Sequence, residues 1–222
     1  MRGRLLVFEG GEGAGKTTQL RRLAARLAAQ GTPHRTYREP GGTPAGDRIR
    51  EILLHHDAPI VPAAEAALFV ASRAQLVASE VKPAVERGET VLLDRFLLST
   101  YAYQIHGRGL DEANVRAANR LATDGLVPDL TILLALKPVE GLARAVQRGA
   151  VDRIEGAEPA FHQRVAEAFD RFSTDAWQHA HPECGRIVAV DAVGTEDEVA
   201  ARVNATVAAH LPDVLRAEAS AR

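Results

Sequence analysis

The feature that most constrains this chain is a glycine-rich run placed directly after a short apolar segment. Residues 5–8 read Leu-Leu-Val-Phe, a continuous apolar run typical of a parallel strand that is buried on both faces. Residues 10–17 read Gly-Gly-Glu-Gly-Ala-Gly-Lys-Thr and match the pattern G-x-x-x-x-G-K-[ST] at every fixed position. Leucines then recur at spacings of three and four, which predicts a helix over residues 16–30.

The residue types of this turn indicate a site for a phosphate chain. Glycines let the backbone curl so that several N–H groups point at one anion, and the amino end of the following helix adds partial positive charge. Lys16 can reach the outer phosphates, and the Thr17 hydroxyl can bind Mg²⁺. An accidental glycine turn is the weaker alternative, because the whole pattern lies between a strand and a helix. The candidate triphosphate-binding residues are Gly10, Gly11, Glu12, Gly13, Ala14, Gly15, Lys16, Thr17 and Thr18.

The rest of the chain alternates strand-like and helical patterns. Further strands are predicted over residues 34–38, 91–93, 130–136 and 187–190. Alternation of this kind predicts an α/β fold with a five-stranded parallel sheet flanked by helices, and a ligand site beyond the carboxyl ends of the strands. We see no composition break, so residues 1–222 are expected to form one domain. Helices are predicted over residues 47–55, 63–87 with an interruption at Pro83, 98–103, 111–123, 139–147, 161–177 and 196–210.

Charge and composition exclude several classes of partner. The chain has 27 basic and 29 acidic side chains, which argues against a nucleic-acid partner because such proteins show a basic excess. No segment approaches the run of about 20 apolar residues that crosses a bilayer, so no membrane partner is expected. The single cysteine, Cys184, cannot form an internal disulfide and fits a reducing compartment. These features predict a cytoplasmic protein.

A phosphate loop alone leaves the reaction open, because switch GTPases, motor ATPases and small-molecule kinases all carry one. The guanine-reading signature N-K-x-D is absent, and the D-x-x-G match at residues 191–194 is interpreted as a strand followed by a turn. Asp94 and Arg95 follow a predicted strand directly. The carboxylate can hold Mg²⁺ and the guanidinium can hold the second phosphate that a kinase needs. The alternative is a helix-capping Asp beside a surface Arg.

Two further groups favour a kinase. Residues 39–43, Glu-Pro-Gly-Gly-Thr, follow the second predicted strand, and Arg50 lies on the helix after them, within reach of the same cleft. Residues 147–155 form a glycine-containing turn with Arg148 and Arg153 between two helices. Such a segment can close over a triphosphate and supply guanidinium groups to the transition state. Its alternative is an exposed charged loop.

Several motifs in one order carry a family resemblance. They are F-E-G-G-E-G-A-G-K-T-T at residues 8–18, R-E-P-G-G-T at 38–43, F-V-A-S-R at 69–73, D-R-F-L-L-S-T-Y-A-Y-Q at 94–104, P-D-L-T at 128–131 and R-G-A-V-D-R-I-E at 148–155. With these motifs the chain resembles the thymidylate kinases over about residues 5–211. The resemblance implies a three-layer P-loop nucleoside-monophosphate-kinase fold, usually homodimeric. It also implies transfer of the γ-phosphate of ATP, with Mg²⁺, to the small-molecule substrate dTMP to give dTDP.

The resemblance also implies roles for individual residues. Phe69 would stack on thymine, although a phenylalanine on a long helix is more often plain core. Arg73 and Thr100 would contact the edge of the base, Gln104 and Ser99 would form its wall, and Tyr103 would lie close to the sugar. Glu39 would lie near the sugar or a metal-bound water, and Arg50 and Arg95 would hold the acceptor phosphate. The catalytic set is Lys16, Asp94, Arg95, Arg148 and Arg153, and the Mg²⁺ set is Thr17 and Asp94.

The phosphate loop has no basic side chain between its outer glycines, so a lid over about residues 144–158 is expected to supply charge, as in the bacterial type of the family. Departures from the family pattern occur at Ile105–His106, at Ala135 and Lys137, and at Phe96. A P-loop kinase of another nucleoside monophosphate or a deoxynucleoside, and a non-catalytic nucleotide-binding switch, remain as alternatives. His179, His181 and Cys184 are interpreted as a solvated helix end, because a zinc site needs four ligands and the fourth is missing.

Overall fold

The computed structural model describes residues 2–55, 59–147, 153–154 and 156–215. Five parallel strands form one sheet in the order β2-β3-β1-β4-β5. The α/β architecture predicted from the sequence is therefore confirmed. The strands are β1 (Leu5–Glu9), β2 (His34–Arg38), β3 (Thr90–Asp94), β4 (Leu130–Ala135) and β5 (Ile187–Asp191).

Helices connect the strands and cover both faces of the sheet. They are α1 (Lys16–Ala29), α2 (Pro44–His55), α3 (Pro62–Leu76), α4 (Lys82–Glu86), α5 (Leu97–Thr100), α6 (Glu112–Thr123), α7 (Pro138–Gln147), α8 (Pro159–Phe172), α9 (Asp175–Ala180) and α10 (Glu196–His210). Two π-helical segments (Val77–Val81 and Tyr101–Gly107) and one 3₁₀ turn (Pro182–Cys184) complete the described elements.

The apolar run of β1 separates two hydrophobic cores. Leu6 and Phe8 pack with α1 and α10 on one face of the sheet. Leu5 and Val7 point to the other face and pack with side chains of the helices between residues 62 and 172. Successive side chains of a strand alternate between faces, so a strand covered on both sides must be apolar throughout. No helix in the described ranges has both the length and the apolar character needed to cross a bilayer.

The long helix predicted over residues 63–87 has its irregularity earlier than expected. The chain is helical from Pro62 to Glu86, but residues Val77–Val81 are π-helical and Pro83 lies in the first turn of α4. A proline ring clashes with the carbonyl four residues before it and offers no N–H. The wider π turn lies at that point of the helix and relieves the clash. The prediction of an interruption at Pro83 itself was wrong by several residues.

The predicted helix over residues 161–177 is two helices. α8 ends at Phe172, and Thr174 begins α9 by accepting a hydrogen bond from the N–H of Trp177. The apolar spacing continues through the break, so periodicity did not reveal it, whereas the capping threonine marks it. Similarly, α2 begins at Pro44 instead of residue 47, and the helix predicted to end at residue 103 continues as a π segment to Gly107.

The register of the sheet brings three loops together at the carboxyl ends of the strands. Phe8 of β1 and Arg38 of β2 both pair with Asp94 of β3. The N–H of Arg95 donates to the carbonyl of Phe8 at 2.9 Å, and the N–H of Glu39 donates to the carbonyl of Asp94 at 2.9 Å. The glycine-rich loop after β1, the Asp94–Arg95 pair and Glu39 are therefore neighbours.

Candidate active site

A cleft of about 850 Å³ opens at this edge of the sheet. One end, the donor end, is formed by the glycine-rich loop, and the other, the acceptor end, by α2, α3, α5 and the second π segment. Gly10, Gly11 and Ala14 belong to the loop but are not among the described lining residues, and Arg148 lies outside the described residues. The predicted site residues that line the cleft are Glu12, Gly13, Gly15, Lys16, Thr17, Thr18, Glu39, Arg50, Phe69, Arg73, Asp94, Arg95, Ser99, Thr100, Tyr103 and Gln104.

The loop is held in its curled form by a glycine contact and by Lys16. Gly13 has φ of 68°, and a Cβ there would lie 1.9 Å from the carbonyl oxygen of Gly141 on α7. Lys16 Nζ donates to the carbonyls of Gly10 at 3.0 Å and Gly11 at 2.7 Å. Only glycine fits this left-handed backbone in contact with another backbone. The loop therefore depends on α7, the helix that leads toward the predicted lid.

Lys16 is a buried ammonium group. Burial and, to a lesser extent, the nearby positive charge of Arg95 together lower the pKa of Lys16 to about 8, against the opposing effect of Glu12 and Asp94. A cation that is poorly solvated gains strongly from an anionic partner. The donor end therefore offers both N–H groups and an under-compensated positive charge to a phosphate chain.

Thr17 and Asp94 meet across the donor end of the cleft. The Thr17 hydroxyl donates to Asp94 Oδ2 at 2.5 Å. A hydroxyl and a carboxylate are oxygen donors of the kind Mg²⁺ prefers, and Mg²⁺ commonly binds one or two protein groups together with waters and phosphate oxygens. Within the described ranges, no group of three or more His, Cys, Asp or Glu side chains forms a metal cage. This pair fits a metal shared with a bound phosphate chain.

Glu12 links the two ends of the cleft. Its Oε1 accepts hydrogen bonds from Arg95 Nη2 and from the Tyr103 hydroxyl, each at 2.6 Å. Arg95 also donates to Ser99 Oγ at 3.0 Å and to the carbonyl of Gly10 at 3.3 Å. Burial alone lowers the pKa of Arg95, but Glu12 and the other acidic groups outweigh burial and raise it. Arg95 is thus a permanently charged group that is ion-paired with Glu12.

Arg95 has an unusual backbone for its residue type. Its φ of 69° lies in the left-handed region, which non-glycine residues seldom adopt. Strain of this kind persists only where surrounding contacts enforce it, and it concentrates at functional sites. The residues that follow Arg95 are held by Glu9, a residue that sequence reasoning did not single out.

Glu9 is fully buried at the end of β1 and fixes the turn after β3. Its Oε1 accepts from the N–H groups of Phe96 at 2.7 Å and Ser99 at 3.0 Å, and its Oε2 accepts from Ser99 Oγ at 2.6 Å. Three donors compensate the cost of burying a carboxylate. An acid ending an otherwise apolar buried strand is the sequence signal that could have identified it.

Arg73 is buried, and each of its three side-chain nitrogens has a partner within the protein. Nε donates to Glu39 Oε2 at 2.8 Å, and Nη2 donates to the carbonyl of Phe96 at 2.9 Å and forms an ion pair with Glu39 Oε2 at 2.8 Å. Nη1 donates to Thr100 Oγ1 at 2.9 Å and Asn119 Oδ1 at 2.5 Å. Most of the five N–H bonds that an arginine offers are therefore already engaged inside the protein.

Glu39 has a raised pKa. Burial raises the pKa of Glu39 to about 7, against the opposing attraction of Arg73. Its Oε1 is buried and has no hydrogen-bond partner in the described part of the chain. An unpaired buried carboxylate oxygen is costly, so this atom marks a place where a ligand donor would be stabilising.

Phe69 and Arg50 lie at the acceptor end. Phe69 is partly exposed, lines the cleft and packs against the apolar core, so it has features of both the stacking and the core interpretations. Arg50 Nη1 donates to the carbonyl of Pro40 at 3.0 Å, which holds the side chain against the loop that follows β2. Arg50 and Arg95 line the same cleft as Lys16.

A second carboxylate at the acceptor end, Glu65, was also missed by the sequence reasoning. It is buried on α3 and accepts hydrogen bonds from Gln104, Arg108 and Arg153. Arg153, predicted as a lid arginine, is not among the described lining residues, although the neighbouring Ile154 is. Glu65 lies four residues before Phe69 on the same helix face, a spacing that could have indicated it.

The histidines and the cysteine near residue 180 have other partners. His181 bonds the carbonyl of Trp177 at 2.8 Å and Glu112 Oε1 at 3.0 Å, and Cys184 is buried. The interpretation as a solvated helix end was therefore wrong for His181 and Cys184, which are both buried, His181 against Trp177 and Glu112.

Comparison with known proteins decides the family. The sequence model of the thymidylate kinase family matches residues 8–183. The chain belongs to this family. It is 48% identical to the thymidylate kinase of Deinococcus radiodurans over 205 residues, covering 92% of this chain and 96% of that relative. It is 46% identical to that of Carboxydothermus hydrogenoformans over 175 residues, covering 79% of this chain and 86% of the relative. Its fold is the P-loop nucleoside-monophosphate-kinase fold, as the resemblance implied.

Proposed function

We propose that this protein transfers the γ-phosphate of ATP to dTMP and releases ADP and dTDP. The observation that carries the proposal is a single cleft lined at one end by Lys16 of the phosphate loop and at the other by Arg50, Arg95 and Phe69. A kinase must place two anions in line, and a purely nucleotide-binding switch has no need of the second cationic end. Membership of the family supports the choice of dTMP as acceptor.

At the donor end, backbone N–H groups of residues 10–18 and the Lys16 ammonium bind the phosphates of ATP. The Lys16 ammonium exchanges the carbonyls of its own loop for the outer phosphate oxygens. Thr17 and Asp94 would hold Mg²⁺, and the ion would supply positive charge to the phosphates. Thr17 and Asp94 are hydrogen-bonded to each other at 2.5 Å. This bond would have to break for both groups to bind the ion.

At the acceptor end, Arg50 and Arg95 bind the phosphate of dTMP. Arg95 exchanges Glu12 for phosphate oxygens, and its fork geometry suits them. An oxygen of the dTMP phosphate attacks the γ-phosphorus while the bond from that phosphorus to the β–γ bridging oxygen breaks, and the electron pair leaves on ADP. Lys16 and Arg95 stabilise the transferring group, with Arg148 and Arg153 as the proposed lid contributions.

The nucleoside of dTMP lies against the acceptor wall. Phe69 stacks on the base, and Arg73 with Thr100 contacts its edge by exchanging one internal partner. Gln104 and Ser99 form the adjoining wall, and Tyr103 lies beside the sugar, where its ring disfavours a 2′-hydroxyl. Glu39 faces the sugar or a metal-bound water through its unpaired Oε1.

The proposal extends to the organisation of the protein. Residues 1–222 form a single domain with a lid over about residues 144–158. The enzyme acts as a homodimer in the cytoplasm, without a nucleic-acid or membrane partner. The formal net charge of −2 supports the absence of a nucleic-acid partner.

A coupled assay of ADP release tests the activity. With ATP and Mg²⁺, dTMP is expected to support release far faster than dCMP, AMP or thymidine. Faster ADP release with another monophosphate, or with thymidine, would identify that compound as the acceptor in place of dTMP. Tight ATP binding without acceptor-dependent release would favour the non-catalytic switch.

A further inference from the structure

Glu65 joins three parts of the acceptor end. Only 1% of its side chain is exposed. Oε1 accepts from Gln104 Nε2 at 3.0 Å and from Arg108 Nε at 3.1 Å, and Oε2 accepts from Arg108 Nη2 at 3.1 Å and Arg153 Nη2 at 2.7 Å. The donors come from the second π segment, from the residue directly after it, and from the turn at residues 153–154.

The charge of Glu65 is maintained by these partners. Burial raises the pKa of Glu65, but hydrogen bonds from Arg108, Arg153 and Gln104 outweigh burial and lower it. A buried carboxylate that loses such partners is strongly destabilising. The bonds to Gln104 and Arg153 therefore belong to one charged cluster.

Glu65 determines which atom of the Gln104 amide is available elsewhere. An ionised carboxylate only accepts hydrogen bonds, so Gln104 must direct its NH₂ group at Glu65. The carbonyl oxygen of Gln104, in the cleft wall, is then left as an acceptor. Thymine carries a donor, the N3–H group, at the position where cytosine carries an unprotonated acceptor nitrogen. An acceptor fixed in the wall favours the first ring and repels the second.

Through its bond with Arg153, Glu65 also anchors the turn at residues 153–154. Arg153 Nε donates to the carbonyl of Leu53 at 2.8 Å near the end of α2, and its backbone N–H donates to the carbonyl of Leu54 at 3.3 Å. This arrangement places Ile154 beside Leu54 in the lining of the cleft. Ile154 is only 7% exposed, so it is a packed part of the wall.

We propose that Glu65 is a positioning residue for the acceptor nucleotide: it fixes Gln104 as a hydrogen-bond acceptor toward the base and docks the Arg153–Ile154 turn against α2. This inference rests on the proposed dTMP kinase activity and names a determinant of its base selectivity. Glu65 acts through Gln104 and Arg153, and it is not itself a catalytic residue.

Glu65→Gln is the central variant, because it keeps the shape and removes the charge. An amide side chain has one acceptor oxygen and cannot serve all of these donors, so Gln104 is free to rotate. We expect the KM for dTMP to rise at least about tenfold, the preference for dTMP over dCMP to fall by a similar factor, and kcat at saturating dTMP to change less. Glu65→Asp keeps the charge and should recover part of the selectivity.

Glu89→Gln is the matched control. Glu89 accepts from Arg35 at 2.9 Å and Arg87 at 3.2 Å, but it lies just before β3, at the opposite end of the strands from the cleft. The Glu89→Gln variant also loses one negative charge between two arginines, but far from the cleft. Its KM and kcat for dTMP should therefore equal those of the parent.

Limited trypsin digestion, followed by mass spectrometry, measures the docking of the Arg153–Ile154 turn independently of kinase activity. Trypsin cleaves after arginine, and the Arg153 side chain is occupied by Glu65 and Leu53. Glu65→Gln should raise the cleavage rate after Arg153 several-fold, while cleavage after Arg120, exposed on α6, stays at the parent rate. Faster cleavage at both sites would instead indicate general destabilisation.

The outcomes separate the two proposals. If the parent enzyme shows no dTMP-dependent ADP release, the proposed function fails, whatever the digestion shows. If the parent is active, the inference is overturned by unchanged dTMP selectivity and unchanged Arg153 cleavage in Glu65→Gln. It is also overturned when Glu65→Gln and Glu65→Asp lose kcat and stability together, because a merely structural residue gives that result.

Discussion

The two ends of the cleft are built by different means. The donor end uses backbone: a curled glycine loop, the amino end of α1 and one buried lysine. The acceptor end uses side chains that already bind one another, such as Arg73 with Glu39 and Arg95 with Glu12. Backbone groups are prepositioned for an anion, whereas Arg73 and Arg95 are paired with carboxylates inside the protein and, in the proposed reaction, exchange an internal partner for the substrate.

This difference teaches where specificity can reside. A phosphate chain is the same in every triphosphate, so the donor end needs only N–H groups and positive charge. Reading one nucleotide among many needs fixed polar atoms that leave the wrong ligand unpaired. The internal pairs of the acceptor end supply such atoms. Loss of a donor-end group should therefore reduce all turnover, and loss of an acceptor-end group should change selectivity and KM.

Removal of the Lys16 ammonium should have the largest effect. Lys16→Ala is expected to lower kcat by at least about a hundredfold with every acceptor, because it removes the charge nearest the transferring group. Steady-state kinetics with dTMP and ATP measure the loss. Lys82→Ala, which removes a lysine paired with Asp124 away from the cleft, should keep parent activity. Retention of a tenth of parent activity by Lys16→Ala would contradict the donor-end assignment.

Adding a methyl group at Gly13 tests whether the phosphate loop is held in shape by its backbone contact with α7. Gly13→Ala forces a residue with φ of 68° against the Gly141 carbonyl at 1.9 Å. We expect a loss of at least about 2 kcal/mol in the free energy of unfolding without nucleotide. Gly11→Ala, where nothing lies within 4 Å of the added Cβ, is the control and should unfold near the parent temperature. Equal stabilities would show that the loop does not depend on α7.

A comparison of Arg153→Ala with Glu65→Gln tests whether the lid serves both ends. If Arg153 also stabilises the transferring phosphoryl group, Arg153→Ala should lower kcat at saturating dTMP by roughly ten- to a hundredfold. Glu65→Gln releases the same side chain without removing it, so its kcat should stay much closer to the parent value. Stopped-time product assays at saturating substrates measure both. Equal kcat values in the parent and Arg153→Ala would remove Arg153 from the catalytic set.

The pH profile should show the smallest effect, at Glu39. Its pKa is raised to about 7, so the carboxylate that holds Arg73 is present above pH 7 and is lost as the pH falls. The kcat/KM for dTMP should then drop by about tenfold per unit below pH 7. The dTMP phosphate titrates near pH 6, so its protonation causes a second decrease in kcat/KM below that pH. The pH profile of Glu39→Gln should show only this second decrease, near pH 6. If the profiles of Glu39→Gln and the parent superimpose, Glu39 does not control dTMP binding.

The contrast between the ends also explains how much the sequence could predict. The donor end is one contiguous motif in strand–turn–helix context, so its chemistry follows from residues 10–17 alone. The parallel sheet follows from apolar runs such as Leu5–Phe8. The contact of Gly13 with Gly141 joins distant parts of the chain, and no local pattern announces it.

The acceptor end was accessible mainly through the family resemblance. Arg50, Phe69 and Arg95 lie on separate elements, and each alone is compatible with a surface or core position. Glu9 and Glu65 escaped notice because their role is to bind other side chains, and such pairing appears only once the helices are packed. The split between α8 and α9 was missed for a related reason, since apolar periodicity continued through the capping threonine.

The most direct test of the central claim is the fate of the γ-phosphate in a single turnover. Enzyme in excess is mixed with dTMP, Mg²⁺ and ATP labelled at the γ-phosphorus, and the products are separated after quenching. Both ends of one cleft acting together predict that the label passes to dTDP in step with ADP formation. Label found in inorganic phosphate or on the protein, with dTMP unchanged, would contradict direct transfer between the two ends.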